Sequence, residues 1–107
     1  MSGEIENKIN ETYGACRHFV AYSGVKLPLK LVNPLEESDM RNRNTFFRGY
    51  YGACGHLVVC QKIVYGEIEL EHRYEYHSNG MLKLAVIHVP EEADRILRFD
   101  ESGNRLD

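Results

Sequence analysis

Tryptophan is absent, so the aromatic surface must come from seven tyrosines and four phenylalanines, a set that suits strands at least as well as helices. No apolar run approaches the roughly 18 residues of a membrane span, which removes a spanning helix from the reading. Positive charge is not in excess: 13 Lys and Arg against 16 Asp and Glu give a formal net charge of −3, and the cations are scattered. Neither nucleic acid nor an anionic membrane is therefore an expected partner. Cysteine is scarce and odd in number, and Cys16, Cys54 and Cys60 cannot all pair within one chain. The acidic beginning Met1-Ser2-Gly3-Glu4-Ile5-Glu6 lacks the basic-then-apolar order of a secretory leader. Free thiols and a cytoplasmic location are the expectations. No Gly-rich phosphate loop, nucleophile elbow or His-Glu-x-x-His motif occurs.

What the sequence does contain is a rhythm. An aromatic residue, three intervening residues and a glycine recur as Tyr51 to Gly55, Tyr76 to Gly80 and Phe99 to Gly103. An aromatic closing a strand, a short polar loop and a glycine free to take positive φ describe a three-residue β-hairpin loop. With 107 residues and 43% hydrophobic content, the chain reads as one domain, residues 1–107, with a single core.

Turn chemistry suggests a register. Tyr65-Gly66-Glu67-Ile68 places glycine at the first central position of a two-residue II′ turn, pairing Tyr65 with Ile68, Ile63 with Leu70, Gln61 with His72, Val59 with Tyr74 and Leu57 with Tyr76. The loop Ser78-Asn79-Gly80 pairs His77 with Met81, Tyr76 with Leu82, Tyr74 with Leu84 and His72 with Val86, and sets Leu70 opposite His88. The loop Ala53-Cys54-Gly55 sets Tyr51 against Leu57, Gly49 against Val59 and Phe47 against Gln61. Four strands then share one apolar face, with Glu67, Glu69, Glu71, Arg73 and Glu75 on the other and Lys62 across from Glu71. Pro90 to Asp94 is a turn cluster, and Arg95 to Phe99 returns as a further strand before Glu101-Ser102-Gly103.

Upstream, Ile5, Ile9, Tyr13, Cys16 and Val20 recur at helical spacing, so 1–16 is expected as a short N-terminal helix. Residues 17–32 read as a hairpin around Ser23-Gly24, with Pro28 implying an edge strand or a bend. Asn33-Pro34-Leu35-Glu36 reads as cap, first-turn proline and capping-box glutamate for a helical turn near 34–40. The expected fold is mainly β, with α+β as the alternative: a single antiparallel meander of about five to seven strands with its hairpins in 45–107.

The stretch Tyr74-Glu75-Tyr76-His77-Ser78-Asn79-Gly80-Met81-Leu82-Lys83 resembles the repeat unit of MORN-variant or antitoxin-type repeats, whose hairpins carry an aromatic, then Asn-Gly, then a leucine. Over almost the whole chain, including Tyr22 to Leu29 and Ile63 to Tyr74, the sequence resembles a small bacterial family known only as a domain of unknown function. That resemblance implies no activity, cofactor or catalytic residue.

Three constellations could carry chemistry. Gln61, His72, Tyr74, Tyr76 and His88 would share the apolar face, and a few polar groups among aromatics are what line a ligand groove. Cys16 and His18 in Tyr13-Gly14-Ala15-Cys16-Arg17-His18 are echoed by Cys54 and His56 in Tyr51-Gly52-Ala53-Cys54-Gly55-His56, giving four ligands of the kinds tetrahedral Zn²⁺ takes. Cys60 would lie between Arg48 and Arg73, guanidiniums that would favour its thiolate. Against each stands a plainer reading: core histidines, a recurrence of small residues, and a half-buried cysteine. The glutamate row stands along one strand rather than converging, and is a solvated face. The favoured function is a non-enzymatic binding or interaction module that uses a sheet face or edge to engage a protein or small ligand, without a cofactor, as a monomer or an edge-strand homodimer. A zinc-stabilised domain and a cysteine-dependent enzyme are the alternatives.

Overall fold

The computed structural model describes residues 15–106. Its elements are β1 (Cys16–Ser23), β2 (Lys30–Leu35), the short helix α1 (Glu37–Met40), β3 (Thr45–Tyr51), β4 (Leu57–Val64), β5 (Glu67–Tyr76), β6 (Leu82–His88) and β7 (Arg95–Arg98). All seven strands join one antiparallel sheet in the order β2-β1-β3-β4-β5-β6-β7. The mainly β meander expected from the sequence is thus the observed fold, with the first hairpin turned so that β2 forms the outer edge. The N-terminal helix expected over 1–16 falls outside the described residues up to position 14, and Cys16 already belongs to β1.

The helical turn is present but starts later than its sequence signal. Pro34 and Leu35 stay in β2, opposite Phe19 and His18, because an edge strand tolerates a proline whose missing N–H would point outward. Glu36 takes over as the cap: its backbone N–H donates to Asp39 Oδ2 at 3.1 Å, closing the capping box one motif downstream of Asn33.

The three aromatic-to-glycine loops form as their chemistry demands. Gly55, Gly80 and Gly103 have φ of 81°, 89° and 91°. Each loop is closed by two backbone bonds; in the second, His77 N–H donates to Met81 O at 2.8 Å and Gly80 N–H to His77 O at 2.9 Å. Tyr51 faces Leu57 and Tyr76 faces Leu82, as the loops require.

Beyond those first pairs the register expected for β3–β4 and β5–β6 is off by one residue. A bulge follows Tyr50/Tyr51, so Tyr50 rather than Gly49 faces Val59, and Gly49 faces Cys60. A second follows Glu75/Tyr76, so Tyr74 faces Ala85 rather than Leu84, His72 faces Ile87 rather than Val86, and His88 lies opposite Glu71 rather than Leu70. Between β4 and β5 the turn itself differs: Tyr65 and Gly66 are both central, with φ of 49° and 79°, the signature of a I′ rather than a II′ turn. A further bulge near Lys62/Ile63 then leaves Gln61 opposite Glu71, Cys60 opposite His72 and Val59 opposite Arg73. Lys62 makes its ion pair with Glu69, at 3.3 Å, rather than with Glu71. Because side chains alternate along a strand, each one-residue shift carries a neighbour to the other face.

The corrected faces explain the core. Phe19, Leu31, Phe47, Cys60, Tyr74, Ala85 and Leu97 pack together with Leu57 and Leu82 on one side of the sheet, and Leu27 and Leu29 from the β1–β2 connection lie over them. Gly49 lets this layer close, since a Cβ there would stand 2.7 Å from Leu31 Cδ1 and 3.0 Å from Leu57 Cδ1. The opposite face carries Tyr50, Val59 and Gln61, all under 3% exposed. The shared apolar face expected from the sequence is therefore two faces, each partly apolar.

Candidate functional site

Strands β3, β5 and β7 run in the same direction, so the loops that follow them gather at one end of the sheet. They touch one another. Asn79 Nδ2 donates to Glu101 O at 2.9 Å, and His77 Nε2 donates to Phe99 O at the same distance. A Cβ on Gly103 would lie 3.0 Å from the Met81 Cε, so the third loop passes against the second at a glycine. Within the loops, Asn79 Oδ1 accepts the Met81 N–H, and Asp100 Oδ1 accepts the N–H groups of Ser102 and Asn104 at 2.9 Å. These bonds, the one from Asn104 first, hold the Asp100 carboxyl below its ordinary range.

Beneath the loops, on the core side, is a groove of about 850 Å³. Leu57, Leu82, Leu97 and Phe99 supply apolar walls, and the segment Val25 to Pro28 contributes to the lining. Tyr76 and His56 lie against each other with ring centroids 4.5 Å apart and planes 21° from parallel. The Tyr76 hydroxyl donates to Leu57 O at 2.6 Å, and burial pushes its pKa up to about 12. It is a fixed neutral donor that orients the ring. The exposed Lys26 and Arg105 belong to the lining, and neither a carboxylate nor a thiol lines the groove. Its chemistry is that of an apolar slot with two cations in its lining, within the size range of small-molecule sites.

The residues picked from the sequence are divided between the two faces. His72 and Tyr74 are buried in the core layer: His72 Nδ1 lies 2.6 Å from the Tyr74 hydroxyl, which also accepts the Leu29 N–H at 3.1 Å. With one O–H and two lone pairs, the Tyr74 hydroxyl bonds the imidazole and the Leu29 amide at once. Burial lowers the His72 pKa and raises that of Tyr74. Gln61 lies on the opposite face, where its Oε1 accepts from Arg48 Nε at 2.8 Å and its Nε2 donates to Glu71 at 2.7 Å. His88 is on that face too, its Nδ1 2.6 Å from Asp94 Oδ1, beside a cleft of about 270 Å³ shared with Glu71 and Arg73. Of the five, Tyr76 alone lines the large groove.

The two Cys-x-His segments stay apart. Cys16 and His18 pair with Tyr50 and Arg48 on the second face, Cys54 is exposed in its loop, and His56 is stacked on Tyr76 on the core side. Among the described residues no three His, Cys, Asp or Glu side chains form a metal-binding group. Cys60 is 2% exposed and flanked by Gly49 and His72, not by Arg48 and Arg73. Burial alone pushes its thiol up to about 12, the reverse of an activated nucleophile. The groove residues Lys26, Met81 and Arg105 escaped sequence reasoning. Only the aromatic-to-glycine rhythm pointed to this end of the sheet.

Fold and site together define a single-sheet antiparallel β domain with an apolar groove under its loop end. The chain belongs to DUF6156, a family of unknown function, whose model matches residues 11–107. No curated protein matches it. No solved structure matches it. Among the described residues no helix is long and apolar enough to cross a membrane.

Proposed function

We propose that this protein is a non-enzymatic binding module that holds an apolar ligand in the loop-end groove. The observation that carries this reading is the conjunction of an apolar lining with a fixed frame: a second and a third loop bonded to each other, a stacked His56–Tyr76 pair and a hydroxyl already committed to Leu57. Preorganised walls let apolar contact yield affinity without a cost for ordering the site. The titratable groups that catalysis would need are dispersed between two faces, which supports binding over turnover. We place the activity in the cytoplasm, a reading supported by the three free thiols.

Nile red, a neutral apolar dye, tests the reading. The wild type should bind it saturably with a blue-shifted emission, and Met81→Glu, a change at an exposed groove residue, should weaken that binding at least about tenfold with an unchanged circular dichroism spectrum. Binding that is absent, or that ignores Met81→Glu, would refute it.

A further inference from the structure

The groove lining is one-sided in charge. Lys26 and Arg105 come from segments almost eighty residues apart, yet both line the same groove. Among the described residues neither side chain has a hydrogen-bond or ion-pair partner, although acidic residues outnumber basic ones in the chain. The Asp100 carboxylate of the third loop is committed to N–H groups of its own loop, and no carboxylate of the described residues lines the groove. Two exposed cations thus line a groove whose apolar walls include Leu82 and Phe99.

We propose that the ligand is an apolar molecule ending in a single carboxylate, with its chain or ring along Leu82 and Phe99 and its carboxylate taken by Arg105 and Lys26. This rests on the binding-module reading and names the ligand class for it. A guanidinium presents a planar fork that matches a carboxylate with two parallel N–H···O bonds, and an ammonium adds a point charge. A free carboxylate attracts the cations without carrying the second negative charge of a phosphate monoester, whose desolvation beside apolar walls is costlier. A cationic headgroup would be repelled, and a neutral one would leave both cations unanswered.

Calorimetry with three ten-carbon compounds, decanoate, decan-1-ol and decylamine, separates the possibilities. Decanoate should bind at least about tenfold tighter than decanol, decylamine weakest of all, and raised salt should weaken decanoate alone. The double variant Lys26→Gln/Arg105→Gln, changed at two exposed positions, should bind decanoate and decanol equally. If decanol matches decanoate in the wild type, or the double variant keeps the preference, the carboxylate assignment is overturned and the groove reading stands. If none of the three binds, both fall.

Discussion

The Tyr74 hydroxyl lies 2.6 Å from His72 Nδ1, and the same oxygen accepts the Leu29 N–H at 3.1 Å. A buried pair in β5 thereby fastens the connection whose neighbouring residues, Val25 to Pro28, line the groove. Removing that hydroxyl strands a buried imidazole nitrogen and a part-buried amide at once. Tyr74→Phe should cost about 2 kcal/mol in urea unfolding, roughly the penalty for a buried hydrogen-bonding group left without its partner. It should also raise amide exchange at Leu29 without melting β5.

The same pair sets a pH dependence. Burial favours the neutral imidazole, so the folded His72 pKa lies below its ordinary 6.5. The groups facing it across the strands are the Cys60 thiol, itself neutral, and the Ile87 side chain, and neither offers a counter-charge. Above pH 6.5 both states hold a neutral ring and stability is flat with respect to this group. As pH falls below 6.5 the unfolded chain takes up a proton that the folded one refuses, so stability declines until the folded pKa is passed. Unfolding free energies at pH 7.5, 6.5 and 5.5 should show that decline in the wild type and less of it in His72→Gln.

Gly49 is where two leucines cross the sheet. Gly49→Ala would place a methyl against Leu31 and Leu57, whose side chains are too enclosed to yield freely. A loss of about 1 to 2 kcal/mol in chemical denaturation is expected. A shorter partner should rescue it: in the Leu31→Val background the same substitution should cost less, a non-additivity that a double-mutant cycle reads directly.

The thiols differ in reach. Cys54 is exposed in its loop, whereas Cys60 is enclosed with its pKa pushed up to about 12. Alkylation by iodoacetamide at pH 8, followed by mass spectrometry, should modify Cys54 at least about tenfold faster than Cys60. Equal rates would mean that the β4–β5 layer opens far more often than its packing implies.

Much of this architecture was legible in the sequence, and the reason is local. Gly55, Gly80 and Gly103 must take positive φ, and an aromatic four residues before each marks the closing pair. The alternation within β5, with His72, Tyr74 and Tyr76 against Glu71, Arg73 and Glu75, was read correctly for the same reason. Registers failed because β4 and β6 carry apolar residues in consecutive positions, such as Val58-Val59 and Leu84-Ala85-Val86, so a bulge leaves no polarity mismatch to betray it. Tyr65 at φ 49° was a further trap, since a non-glycine residue there is uncommon. The groove was hidden for a different reason: Lys26, Tyr76 and Arg105 become neighbours only through tertiary folding.

The central claim is that the loop end of the core face is the ligand site. Titrating isotopically labelled protein with decanoate and following its resonances tests it most directly. The account predicts saturable shifts at His56, Met81, Phe99 and Arg105, with Gln61 and His88 on the opposite face unmoved. Shifts centred on Glu71, His88 and Asp94, with the groove silent, would contradict it.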